Sequence, residues 1–154
     1  MELIFWRHAE AEDEREGLPD LDRALTPRGL KQAAKVAAWL EPQLPEDTRI
    51  LCSPALRCEQ TVAPLGRKYE VREDLAPGAI AAALLDAAQW PVSKQPVLIV
   101  GHQPTIGETV AQLLRIEGGS VAVRKSAVWW LRSRERDGDE QTVVWAVQSP
   151  ETLP

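Results

Sequence analysis

Two short apolar runs constrain this chain most. Leu3-Ile4-Phe5-Trp6 leads straight into Arg7-His8, and Val97-Leu98-Ile99-Val100 leads into Gly101-His102. Both runs read as β-strands, and His8 and His102 are the only histidines in the sequence. In open α/β sheets, ligands bind in the crevice beyond the carboxyl ends of the strands. Two imidazoles placed there are expected to share one site over one small ligand.

The rest of the chain alternates in the same way. The first strand, Glu2 to Trp6, is followed by an acidic loop from Ala9 to Arg23, expected to be a mostly solvated surface segment. Thr26 is a helix cap and Pro27 suits the first helical position. That helix runs toward Gln43, where Pro42 and Pro45 end it, with Leu30, Ala33, Ala34, Ala37 and Leu40 as its buried stripe and Lys31, Gln32 and Lys35 facing water. Arg49 to Cys52 is a second strand, and Ala55 to Gly66 a helix with Ser53 as its cap and Arg57 in its first turn. Tyr69 to Val71 is a brief strand and Gly78 to Trp90 a third helix. After the strand Val97 to Val100 comes a helix from Thr105 to Arg115, with Ile106, Val110, Leu113 and Leu114 buried. Ser126 to Arg132 and Thr142 to Val147 are strands joined through Asp137-Gly138-Asp139, residues suited to a hairpin turn. The order predicts an α/β fold with a mixed, mostly parallel sheet and an antiparallel addition at its end.

A length of 154 residues with 44% hydrophobic residues suits one domain, residues 1–154, around a single core. A net charge of −5 argues against nucleic acid or an anionic membrane as a partner, since either calls for a basic stripe. The apolar run at the amino end is too short for a signal peptide or a membrane span, so a cytoplasmic location is expected. Cys52 and Cys58, separated by five residues, form neither a disulfide scaffold nor a paired metal motif. The stretch from Cys52 to Arg57 resembles the signature of cysteine-dependent phosphatases but misses it by one residue, because Cys58 stands where the arginine is needed. Reduced structural thiols are the better reading. The tryptophans, six in all, read as core and rim packing.

Arg7 and Arg57, converging from two strand ends, have the planar fork that matches a phosphoryl group, or almost as well a carboxylate. Histidine beside two guanidiniums is expected to lose proton affinity, leaving a neutral ring nitrogen able to attack phosphorus. His8 is therefore the expected nucleophile. His102 is the expected donor to the phosphoryl oxygens as charge redistributes during transfer.

Four segments carry a family resemblance: Leu3 to Glu10, Leu25-Thr26-Pro27-Arg28-Gly29 with Gln32-Ala33, Ser53-Pro54-Ala55-Leu56-Arg57-Cys58-Glu59-Gln60-Thr61, and Val100 to Pro104. In this order they resemble the histidine phosphatase superfamily, and the short chain resembles its small SixA-type phosphohistidine phosphatases. Gln148-Ser149-Pro150 near the end is similar as well. The resemblance implies a three-layer α/β/α fold of the phosphoglycerate mutase type and chemistry that needs no metal or cofactor. It also implies a phosphorylated His8 in a pocket completed by Arg7, Arg57 and His102. Arg23 matches a position where SixA-like sequences carry arginine, either to reach the phosphate or to brace the loop.

Ala9 departs from the glycine that much of the superfamily has after Arg-His. No residue matches the general acid of the larger relatives, and Glu73, Asp74 and Glu10 are guesses for it. An imidazole leaving group can take its proton from solvent, so the missing acid favours phosphohistidine over alkyl phosphates. The expected partner is a phosphohistidine-bearing protein. The alternatives are a small phosphate ester, or a phosphate- or phosphoprotein-binding module without turnover. The oligomeric state is left open, a monomer being compatible with the sequence.

Overall fold

A computed structural model of the chain describes residues 1–154. Six strands form one sheet: β1 (Glu2–Arg7), β2 (Arg49–Cys52), β3 (Glu70–Val71), β4 (Val97–Gly101), β5 (Val128–Arg136) and β6 (Asp139–Gln148). Their spatial order is β3-β2-β4-β1-β5-β6. The β3-β2, β2-β4 and β4-β1 pairs are parallel, whereas β5 and β6 add antiparallel to β1.

Alternation along the central strands sorts the core into two layers. Ile4 and Trp6 of β1, with Leu98 and Val100 of β4, pack against α1 (Pro27–Leu40) and α2 (Leu56–Val62). Leu3 and Phe5, with Val97 and Ile99, pack on the other face against α3 (Ala81–Ala88) and α4 (Thr105–Leu114). The sheet lies between the two helix pairs, as an α/β/α sandwich requires. No helix is long and apolar enough to cross a membrane.

Several elements differ from their sequence patterns, each for a local reason. In α1 the buried face is Gly29, Gln32, Ala33, Val36, Ala37 and Leu40, while Leu30 is 49% exposed and Ala34 faces water. The phase is set by Gly29, where a Cβ would collide with the backbone oxygen of Glu10. Only glycine allows the first turn of α1 to lie against the loop leaving β1. That phase turns Gln32 inward, where its Oε1 accepts the Glu10 N–H at 2.9 Å. The helix closes as a 3-10 turn over Glu41–Gln43, and Thr26 caps its start as expected, accepting from Gly29 N at 3.0 Å.

α2 is shorter than its pattern because Pro64 lacks the N–H that would continue it, so Ala63–Leu65 form a 3-10 turn instead. α3 starts only at Ala81 because Gly78 is left-handed, with φ 87°. Leu113 and Leu114 are only half-buried, and Thr105, Gly107, Thr109 and Ala111 complete the buried face of α4. β5 begins at Val128, since Ser126 has φ 58°. The β5–β6 turn is the two-residue Asp137-Gly138, with φ values of 53° and 81° that match the twist of the hairpin.

Candidate active site

The strand order explains why the two histidines meet. β4 lies between β2 and β1 although it follows both in sequence, so the connection leaving β1 and the one leaving β4 part at neighbouring strand ends. Arg7 pairs with Gly101 in register, and the next residue, His8, donates its backbone N–H to the Gly101 carbonyl at 3.0 Å. The His8 and His102 rings lie 5.4 Å apart, centroid to centroid.

Beyond these ends lies a cavity of about 390 Å³ whose lining is almost entirely polar. Arg7, His8, Arg57 and His102 all line it, together with Arg23. The five residues singled out from the sequence are therefore brought together. Glu10, Glu73 and Asp74 are not. Glu10 is turned to the start of α1, accepting from Thr26 Oγ1 at 2.9 Å and pairing with Arg28, and Asp74 pairs with Arg72. The carboxylates that line the cavity are Asp13, Glu14 and Asp20.

The segment from Ser53 to Thr61 assembles the site by sending each polar side chain to a different part of the chain. Arg57 enters the cavity, Gln60 Oε1 accepts the Leu25 N–H at 2.7 Å, and Thr61 Oγ1 accepts the Ala9 N–H at 3.0 Å. One short helix thus fixes both ends of the acidic loop. Ser53 is not a helix cap, because Ala55 occupies that position. Its Oγ accepts the Ala55 N–H at 3.2 Å and meets His102 Nε2 at 2.7 Å.

His8 has a defined tautomer. Its Nδ1 lies 2.7 Å from the Ala9 carbonyl, which can only accept, so the ring proton is on Nδ1 and Nε2 keeps its lone pair. Burial lowers the His8 pKa to about 4, with Arg57, Arg7 and Arg23 adding to the effect and the Ala9 bond opposing it. The neutral ring expected from like charge is present, but desolvation is the larger cause. His102 falls to about 3, chiefly through burial and then through the neighbouring His8 and Arg57.

Arg7 Nη1 donates to Val123 O at 2.7 Å, and Arg57 donates from Nη1 to Asp20 O at 2.8 Å and from Nη2 to Asp20 Oδ2 at 3.1 Å. In both arginines the Nε–H is buried with no protein partner. An unpaired donor in low dielectric is costly.

Asp20, in a 3-10 turn over Asp20–Asp22, is the site residue the sequence reading missed. It also accepts from Arg23 Nε at 3.0 Å. Burial would raise its carboxyl, but hydrogen bonds from Arg57 and Arg23 hold it below its ordinary value. Arg23 thus reaches Arg57 through a carboxylate, and its Nη1 braces the loop at the Glu12 carbonyl. The i,i+3 spacing of Asp20 and Arg23 is the one local signal for this pair, and it lies within the acidic loop. Both cysteines are buried, and burial pushes the Cys58 thiol up to about 12 and raises Cys52 as well, so neither is a nucleophile. No group of three or more His, Cys, Asp or Glu side chains is placed to hold a metal ion.

Comparison with known proteins agrees with this geometry. Residues 3–78 match the model of the histidine phosphatase superfamily (branch 1). Phosphohistidine phosphatase SixA of Escherichia coli is 32% identical over 123 residues, covering 73% of this chain and 74% of that protein. An uncharacterised protein of Picosynechococcus is 35% identical, covering 86% of each chain. A solved structure of the protein histidine phosphatase SixA in complex with tungstate superimposes with a TM-score of 0.75 at 28% identity, covering 97% of each chain. The chain belongs to the histidine phosphatase superfamily, with the phosphoglycerate mutase-like fold, and within it to the SixA type of phosphatase.

Proposed function

We propose that the chain is a phosphohistidine phosphatase that carries the phosphoryl group on His8 before water releases it. The observation that carries this reading is the Nδ1 bond of His8 to the Ala9 carbonyl. It leaves Nε2 as the free nitrogen of a neutral ring in a cavity shared with Arg7, Arg57 and His102. In the first step Nε2 bonds to phosphorus as the phosphorus–nitrogen bond of the substrate breaks, and the leaving imidazole takes a proton from solvent. In the second step water attacks phosphorus, the bond to Nε2 breaks, and inorganic phosphate leaves. Arg7 and Arg57 hold the phosphoryl oxygens through charge-assisted bonds, and His102 donates to them as their charge grows. Asp20 and Arg23 keep the Arg57 guanidinium in place.

The substrate class follows from the proton inventory. Asp20 is committed to two arginines, and Asp13 and Glu14 lie exposed at the cavity mouth, so an alkoxide leaving group finds no held acid, whereas an imidazole needs none. A SixA relative solved in complex with tungstate, an oxyanion with the tetrahedral shape of phosphate, supports a phosphate-like ligand for this chain. The test compares kcat/KM for a phosphohistidine-bearing protein domain with that for sugar phosphates and nucleotides. A preference for the domain of about a hundredfold or more is expected. A sugar phosphate or nucleotide turned over faster overturns the substrate assignment, and undiminished turnover by His8→Ala overturns the mechanism.

A further inference from the structure

We infer that Ser53 is a positioning residue that fixes the tautomer of His102, so that the ring presents an Nδ1 proton to the phosphoryl oxygens. This rests on the phosphatase reading above. Ser53 is fully buried where β2 ends beside β4, and its backbone N–H pairs with the Val100 carbonyl at 3.0 Å. Its Oγ lies 2.7 Å from His102 Nε2 and accepts the Ala55 N–H at 3.2 Å. The buried His102 ring is neutral and has one proton to place.

If that proton sat on Nε2, Ser53 Oγ would accept twice and its own hydroxyl proton would be left with no oxygen or nitrogen acceptor. The remaining neighbour of this pair is the Cys58 sulfur, 3.5 Å from His102 Nε2, and sulfur is a weak acceptor. A buried hydroxyl without a partner is costly. If the hydroxyl donates to Nε2 instead, Ser53 Oγ both donates and accepts, and the ring proton moves to Nδ1, where it is free for a ligand in the cavity. That nitrogen lies on the Arg57 side of the ring, 3.5 Å from Nη2. The Nδ1–H and the Arg57 guanidinium, whose Nη2 also donates to Asp20 Oδ2, then face each other as donors, an arrangement that an oxyanion completes and that strengthens as negative charge develops on it. The bond at one imidazole nitrogen sets what the other can do, and here a serine sets it.

The test is proton–nitrogen correlation spectroscopy of the imidazoles in the full chain saturated with inorganic phosphate. The inference expects a protonated Nδ1 and a bare Nε2 at His102. Ser53→Ala is expected to shift the proton toward Nε2 and to lower kcat on a phosphohistidine-bearing domain by about ten- to a hundredfold, with KM changed less than about threefold. Ser53→Thr, which keeps the hydroxyl, is expected to restore both. A phosphate-bound wild-type ring protonated at Nε2 overturns the inference, as does a Ser53→Ala variant that keeps both the Nδ1 proton and full kcat. Should Ser53→Ala fail to fold, the wild-type spectrum decides alone. Turnover by His8→Ala tests the phosphatase reading separately, whatever the state of His102.

Discussion

The nucleophile proposed for this site needs a neutral ring, and the pKa of His8, lowered mainly by burial to about 4, sets where that condition fails. Because the unprotonated form reacts, activity is lost as pH falls through that value. The acid limb of kcat/KM, corrected for ionisation of the substrate phosphate, is expected near pH 4 and not near the ordinary histidine value of 6.5. A pH–rate profile checks this, and a limb at the ordinary value contradicts the buried neutral ring. The thiols offer a control at the same scale. Cys52 is buried with its pKa raised, so Cys52→Ala is expected to keep kcat within about threefold in the same assay while costing some stability.

At the scale of elements, α1 is where structure and sequence pattern part most usefully. Its face toward the sheet is set by the contact of Gly29 with Glu10, so Val36→Ala is expected to cost about 2 kcal/mol and Leu30→Ala under about 0.5 kcal/mol, measured by urea unfolding. Equal costs would contradict the assigned face. Gly29→Ala is expected to destabilise by about 1–3 kcal/mol through the collision with the Glu10 carbonyl, a cost helix propensity alone would reverse. The strands and the placement of Arg7, His8, Arg57 and His102 at their ends were legible because apolar runs and the residues after them are local signals. The phase of α1 was not, because Leu30 and Gly29 are adjacent and only a tertiary contact decides which of them turns inward. Ser53 and Asp20 were hidden for the same reason. Ser53 has the residue type of a helix cap but pairs with His102, and Asp20 sits in an acidic run but pairs with Arg57, both far along the chain.

For the whole molecule, folding means burying two imidazoles in the neutral state among guanidiniums. His8 and His102 have folded pKa values of about 4 and about 3 against an ordinary 6.5, so between these limits the unfolded chain binds more protons. Their contribution to stability is fully present above about pH 6.5 and is lost as pH falls toward 4 and then 3. Urea midpoints are expected to drop through this window, and to drop less steeply in His102→Gln than in the wild type. The sheet order that creates this cost also creates the site, since placing β4 between β2 and β1 sets Ser53, His102 and His8 on adjacent strand ends. Whether that site transfers phosphorus through His8 is tested most directly by rapid quenching of the full chain with a radiolabelled phosphohistidine-bearing domain. The expected result is an acid-labile, base-stable label on the enzyme that maps to His8 and is missing from His8→Ala. Turnover without such a label, or a label on any other residue, would contradict it.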